Sequence, residues 1–189
     1  MDLFHLSSPR PPFGQKIRRT KAALLAAGLL TIIGADTSFA SPVDEARVAS
    51  VIAAIAVYAD NQDFHPLERF FAPETTIDYT SLWGGEPQRF APSALMRAWA
   101  GLLPGFDATR HELSDIQVRI GDNAAAAQAK VRATHWLGDR TWVVAGAYDY
   151  ALVRSEAGWQ VSRMTLRLAD ESGDRKLVEE AAAKVAGTK

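Results

Sequence analysis

The side chains best suited to chemistry near neutral pH are few and well separated. Beyond residue 40 the chain has three histidines, His65, His111 and His135, and imidazole is the group most readily poised for proton transfer near neutrality. His65 sits beside Pro66 in a polar turn, where a surface role suffices. His111 opens a long segment of alternating polarity and His135 lies near the end of the next. Counting outward from the Gly121-Asp122-Asn123 turn places the two at the same end of adjacent antiparallel strands, within about 5–8 Å if no bulge shifts the register. Two ordinary sheet histidines would satisfy the same pattern. A metal would need a third ligand such as Asp60 or Asp149, and no HExxH or HxH spacing occurs, so no metal is expected.

Asp60 is the natural partner for an imidazole. It ends an apolar helical run, where the helix dipole disfavours a carboxylate. A cationic or hydrogen-bonding neighbour would account for it, and an Asp–His pair holds a general base in one tautomer. Tyr79 alternates with Ile77 in Thr76-Ile77-Asp78-Tyr79-Thr80 and so faces inward, where its hydroxyl needs a partner. The five tryptophans include Trp83 and Trp99, candidate walls of an aromatic pocket. On the strand that starts at Thr141, Trp142, Val144, Gly146, Tyr148 and Tyr150 share one face. Gly146 in mid-strand marks either a bend or room for a ligand.

The elements that must position these groups follow from periodicity. Val43–Asp60 predicts a helix on the 3–4 spacing of Val48, Val51, Ile52, Ile55 and Ala56. Pro66 opens a short second helix. Ala72-Pro73-Glu74 reads as a turn, Thr75–Ser81 as a strand, Trp83–Pro87 as a loop and Pro92–Leu103 as a helix. Arg110–Ile120, Ala124–Trp136, Thr141–Arg154 and Trp159–Leu168 are period-two segments joined by hairpin turns, an antiparallel meander. Ser172–Ala186 predicts a last helix. The fold class is α+β: a curved antiparallel sheet wrapped over N-terminal helices, a cone-shaped half-barrel with an internal pocket.

Composition bounds the rest. The 189 residues include no cysteine, are 48% hydrophobic and 23% charged, and carry a net charge of -1. Thiol chemistry and disulfides are thereby excluded, and no nucleic-acid footprint is expected. Residues 1–40 combine a basic cluster (Lys16, Arg18, Arg19, Lys21), the 14 uncharged residues Ala22–Ala35, and Ser38-Phe39-Ala40. This is the three-part pattern of a secretory signal cleaved after Ala40. Its apolar stretch rises only about 21 Å as a helix, short of a bilayer core, so no stable anchor is expected after cleavage. The expectation is a periplasmic or secreted protein. Its organisation would be a signal peptide over 1–40, a pocket domain over 41–170, and a C-terminal helix and tail over 171–189.

Tyr58-Ala59-Asp60-Asn61-Gln62-Asp63-Phe64, then Phe71-Ala72-Pro73-Glu74-Thr75-Thr76-Ile77-Asp78-Tyr79, then Thr109-Arg110-His111 and Val131-Arg132-Ala133-Thr134-His135 resemble the scytalone dehydratase family. More broadly they resemble the SnoaL-like branch of the nuclear transport factor two-like superfamily, over roughly residues 45–168. The resemblance implies elimination of water β to a ketone, with no metal or organic cofactor. It implies Asp60 orienting the His135 side, His111 as general acid/base, and Tyr79 as donor on the carbonyl side, on a small cyclic or aromatic substrate. It also implies a homodimer or homotrimer. The chain departs from the family pattern in three places. Ala59 stands where the family has a tyrosine, with Tyr58 alongside as a substrate contact, and the later-strand serine and asparagine fall at about Gly146 and Tyr148. Two rival readings remain open: a non-catalytic pocket protein for a small apolar ligand, and an enzyme whose base is a sheet acid, Asp149.

Overall fold

In the computed structural model, which describes residues 42–188, Pro42 starts the first helix, α1 (Pro42–Asp60). Proline suits a first helical turn, where its missing N–H is not needed. Val48, Ile52, Ile55 and Ala59 repeat at helical spacing and are the buried stripe of α1. Asp44 fixes the start of α1 to the sheet, accepting from Arg154 at 2.6 Å and from the Trp159 indole N–H at 3.4 Å.

After α1 come the one-turn helix α2 (Phe64–Leu67), the strand β1 (Phe71–Asp78), the short helix α3 (Thr80–Trp83), the strand β2 (Gln88–Phe90) and the helix α4 (Pro92–Ala100). Then four long strands run in sequence: β3 (Ala108–Ile120), β4 (Ala124–Leu137), β5 (Arg140–Ser155) and β6 (Gly158–Gly173). The helix α5 (Leu177–Gly187) closes the described chain. The six strands form one curved, unclosed sheet in the order β2-β1-β6-β5-β4-β3. Helices cover its concave side, and the fold is the α+β half-barrel expected. The β3–β6 meander is antiparallel throughout. The register skips between Ser114 and Gln117, Ala145 and Gly146, and Ala151 and Leu152; such bulges bend and twist a sheet.

Four expectations need correction. Ala72-Pro73-Glu74 is not a turn but part of β1, whose register to β6 jumps from Phe71↔Val161 to Thr76↔Arg163. Proline cannot donate there, and the Thr75 hydroxyl bridges the gap by donating to the Val161 carbonyl at 2.9 Å. The strand read through Ser81 stops at Asp78, because the Asp78 carboxylate accepts from the Thr80 hydroxyl at 2.7 Å and the Thr80 N–H at 3.2 Å, turning the chain into α3. The meander is not the whole sheet: β1 joins β6 in parallel and β2 adds an edge. Finally, β6 runs on to Gly173 and α5 begins only at Leu177 rather than Ser172. The polar stretch Asp170–Gly173 could leave the sheet on its own, but β5 offers it a partner from Trp142 to Ala145.

Two glycines record close backbone approaches. A methyl on Gly105 would sit 2.0 Å from the Ala181 carbonyl oxygen, so α5 rests directly on the Leu103–Gly105 turn. A methyl on Gly146 would meet the Arg167 carbonyl oxygen at 2.1 Å. Gly146 thus makes room for the neighbouring strand at a bulge, not for a ligand.

Candidate functional site

A cavity of about 100 Å³ lies between the helices and the sheet, enough space for several waters or one small ring. Ile55 and Ala59 of α1, Tyr79, Leu82 and Trp83 around α3, and Trp99 of α4 form one side. His111, His135, Trp142, Tyr148, Tyr150 and Leu166 of the sheet form the other. The lining is apolar apart from two imidazoles and three phenols, the usual make-up of a small-molecule site.

Asp60 is the last residue of α1 and reaches β3, the edge strand of the sheet. On that outer edge the His111 backbone N–H has no neighbouring strand, and Asp60 Oδ2 accepts from it at 2.7 Å. Asp60 Oδ1 accepts from the Thr109 hydroxyl at 2.9 Å and lies 2.6 Å from His111 Nδ1. Thr109 and His111 are two apart on one strand, so both project to the same side. The edge strand β3 therefore supplies three donors to a carboxylate that the end of α1 disfavours. Burial pushes the Asp60 carboxyl up, but the His111 ring, the His111 backbone N–H and the Thr109 hydroxyl together hold it below its usual value. A carboxylate only accepts, so His111 Nδ1 carries the proton of this contact, and Nε2 is on the side of the ring away from Asp60.

His135 is different. Its ring is 5% exposed, 4.9 Å from the Phe106 ring and 4.6 Å from the Trp142 ring. His135 Nδ1 lies 3.3 Å from the Trp142 carbonyl oxygen. Because a carbonyl can only accept, that nitrogen carries the proton. Burial, reinforced by the neighbouring His111, pushes the ring's pKa down from 6.5 to about 4. His135 is therefore a neutral hydrogen-bonding group at pH 7. The two imidazole rings meet edge to face, centroids 5.9 Å apart. They are diagonal neighbours, since Thr109 is opposite His135 and His111 is opposite Ala133.

The His135 shift carries a stability consequence. In the unfolded chain this ring takes up its proton near pH 6.5, whereas in the fold it stays neutral down to about 4. Between those values the unfolded state binds more protons, so stability falls as the pH falls. The loss should approach about 3 kcal/mol at the acid end of that window. Urea midpoints measured from pH 7 to pH 4 should show this slope in the wild type and a flatter one in His135→Phe; parallel slopes would contradict it.

Across the cavity the Tyr79 and Tyr148 side chains lie close enough to act on each other. Burial pushes Tyr148 up to about 12 and Tyr79 well above its ordinary value, so both stay protonated as donors. The Asp60 charge adds to the upward push on Tyr148.

The structure thus brings together Asp60, His111, His135, Tyr79, Tyr148, Trp83 and Trp99, and separates the rest. Asp60 grips His111 and not His135, because the end of α1 lies against the edge strand β3. Tyr58 is outside the cavity, its ring 5.8 Å from Phe70, because it sits two positions before Asp60 on the opposite side of the helix. Gly146 is at the bulge against β6 and lines no part of the cavity. Asp149 faces outward, accepting from Gln128 at 2.8 Å and pairing with Arg167, and cannot act inside. Among the described residues no group of His, Asp or Glu is arranged to hold a metal. Sequence reasoning missed Thr109 as an Asp60 ligand, although its spacing of two from His111 was the available signal. It also passed over Phe106, which no pattern connects to His135.

Trp142 ties the site to the C-terminal part of β6. Its indole N–H donates to Glu171 at 2.8 Å, and its ring lies 5.7 Å from that of Trp83. Arg175 pairs with Glu171 at 3.3 Å and lies over the Trp83 ring at 4.8 Å.

Comparison with known proteins agrees with this architecture. A solved structure of a protein from Kribbella flavida superimposes with a TM-score of 0.69 at 30% identity, covering 72% of this chain and 97% of that one. A hexachlorocyclohexane dehydrochlorinase, LinA type 2, gives a TM-score of 0.58 at 13% identity over 71% of this chain and 93% of that one. An uncharacterized protein of Mycobacterium tuberculosis is 28% identical over 124 residues, 64% of this chain and 82% of the relative. Residues 43–165, which contain both histidines and Asp60, match the SnoaL-like domain, and the chain belongs to that family.

Proposed function

We propose that this protein is a cofactor-free lyase or isomerase that removes a proton next to a carbonyl group in a small cyclic or aromatic compound. The observation that carries the reading is the Asp60–His111 pair, 2.6 Å apart, at the wall of an apolar cavity. Asp60 fixes the tautomer and stabilises the imidazolium that forms. His111 Nε2 takes the proton as the C–H bond breaks, and the electron pair becomes an enolate. Its oxygen is met by the phenol O–H groups of Tyr79 and Tyr148, which burial keeps protonated. In a dehydration the C–O bond β to the carbonyl then breaks, a C=C bond forms, and the His111 proton leaves with the hydroxide as water. In an isomerisation the same proton returns to another carbon. Neutral His135 accepts a hydrogen bond from a substrate hydroxyl. The dehydrochlorinase above shares the fold, as does a solved structure from Streptomyces avermitilis presented as a candidate dehydratase of this superfamily (TM-score 0.54, 15% identity, 67% of this chain and 98% of that one). These likenesses support elimination chemistry as the class.

The test is hydrogen exchange in D₂O, followed by NMR on a panel of single-ring ketones. Deuterium should enter next to the carbonyl in the presence of wild-type protein and not with His111→Ala. Binding of these ketones without any exchange would favour the alternative, a non-catalytic pocket protein.

We also propose that the protein works in the periplasm after cleavage behind Ala40. The segment concerned lies outside the described residues. The mass of the exported protein should correspond to a chain beginning at Ser41; a chain retaining Phe39 would contradict cleavage there.

A further inference from the structure

Three tyrosines, Tyr79, Tyr148 and Tyr150, face the cavity. Tyr150 is 4% exposed and lines the cavity wall. Its ring is tilted against that of Tyr148, centroids 5.8 Å apart. Among the described residues no side chain or backbone group hydrogen-bonds its hydroxyl. Yet among the described residues no buried side-chain oxygen or nitrogen is sealed off without a partner. The Tyr150 oxygen therefore has open space next to it, and in a side chain this buried that space is the cavity. A phenol hydroxyl held among apolar groups without a partner costs free energy, which a hydrogen bond from a bound molecule recovers.

The register says where this hydroxyl lies relative to the proton-transfer groups. Along β5, Trp142 is opposite His135, Tyr148 is opposite Ala129 and Tyr150 is opposite Ala127. Tyr150 is thus further from the histidines than Tyr148 by two residues of strand, about 7 Å. That is about the span of one six-membered ring with a substituent. Apolar groups, Met164 and Leu166 among them, make up most of the remaining sheet wall.

We infer that the ligand is a single ring with two polar poles, and that Tyr150 holds a second oxygen, a hydroxyl or carbonyl, on the side remote from the carbon facing His111. The inference rests on the proton-abstraction reading for the position of the reacting carbon. It makes Tyr150 a specificity-determining residue: it selects ring compounds bearing this second oxygen over those that lack it. Tyr148 and Tyr79 serve the near pole.

The experiment compares phenol and toluene, which differ by a hydroxyl against a methyl group. Trp83, Trp99 and Trp142 line the cavity, so quenching of tryptophan fluorescence reports occupancy. The ratio of phenol to toluene affinity should fall about three- to tenfold in Tyr150→Phe, mainly through weaker phenol binding. The ratio should change little in Asp149→Asn, next to Tyr150 on the same strand but facing outward. An unchanged ratio in Tyr150→Phe overturns the inference, and so does a wild type that binds neither ring. Absence of deuterium exchange with the wild-type protein would instead fault the Asp60–His111 reading, so the two failures are distinguishable. Should Tyr150→Phe fail to fold, 3-fluorotyrosine at position 150 keeps the hydroxyl and the packing. Its ¹⁹F resonance should move with phenol and stay near its free position with toluene; equal movement with both overturns the inference.

Discussion

Replacing His111 with alanine is expected to lower the rate of α-proton exchange by about 10²–10⁴-fold, the usual contribution of a positioned general base. His111 lies at a cavity wall with its side chain 16% exposed, so its removal should leave the melting temperature within a few degrees of the wild type. Added imidazole should restore part of the lost rate, because the cut-back side chain leaves space beside an Asp60 that still carries its charge. A merely structural histidine would show neither the rate loss nor the rescue. Asp60→Asn keeps the shape but removes the charge that stabilises the imidazolium, and should fall in the same range. A rate unchanged in both variants would remove these residues from the reaction.

The largest effect on stability is expected from Phe106→Ala. Phe106 is 2% exposed and packs against the rings of His135 and Trp142 at 4.9 and 6.5 Å. Truncating a buried phenylalanine costs about 3–5 kcal/mol through lost burial and the cavity left behind. Urea unfolding followed by circular dichroism measures it as a lower midpoint with an unchanged slope. The same variant should admit water beside His135, so its imidazole should protonate at a higher pH than the wild type's value of about 4. NMR of the ring protons would follow this. A loss below about 1 kcal/mol would mean that the site relaxes around the gap.

Much of this site is legible before any coordinates exist, and the part that is not has a definite cause. His111 and His135 can be paired because a tight turn sets the register of the hairpin between them. Local signals give Asp60 an imidazole partner without saying which strand the end of α1 touches; the family resemblance implies the His135 side, and the structure has His111. The difference is tertiary: α1 packs along the outer edge of β3 rather than over β4. Gly146 illustrates the same limit. A mid-strand glycine reads equally as space for a ligand or for a backbone, and only the neighbouring β6 decides. Likewise Ala72-Pro73-Glu74 has the composition of a turn, and becomes strand only because Thr75 can reach the Val161 carbonyl. Ranges set by strong alternation, such as β3 and β4, are recovered to within two residues at each end.

Gly105 and Ala181 meet backbone to backbone, with no allowance for even a methyl group. This keyed joint lies partly beyond the shared family segment, which ends at residue 165. The terminal helix backs the stretch that includes Leu102 and Leu103, and so sets how deep the hollow is, yet it takes no part in the proton relay. Exchanging tails between relatives, with the residue at position 105 exchanged alongside, would therefore retune which molecules fit while the acid–base pair stays as it is.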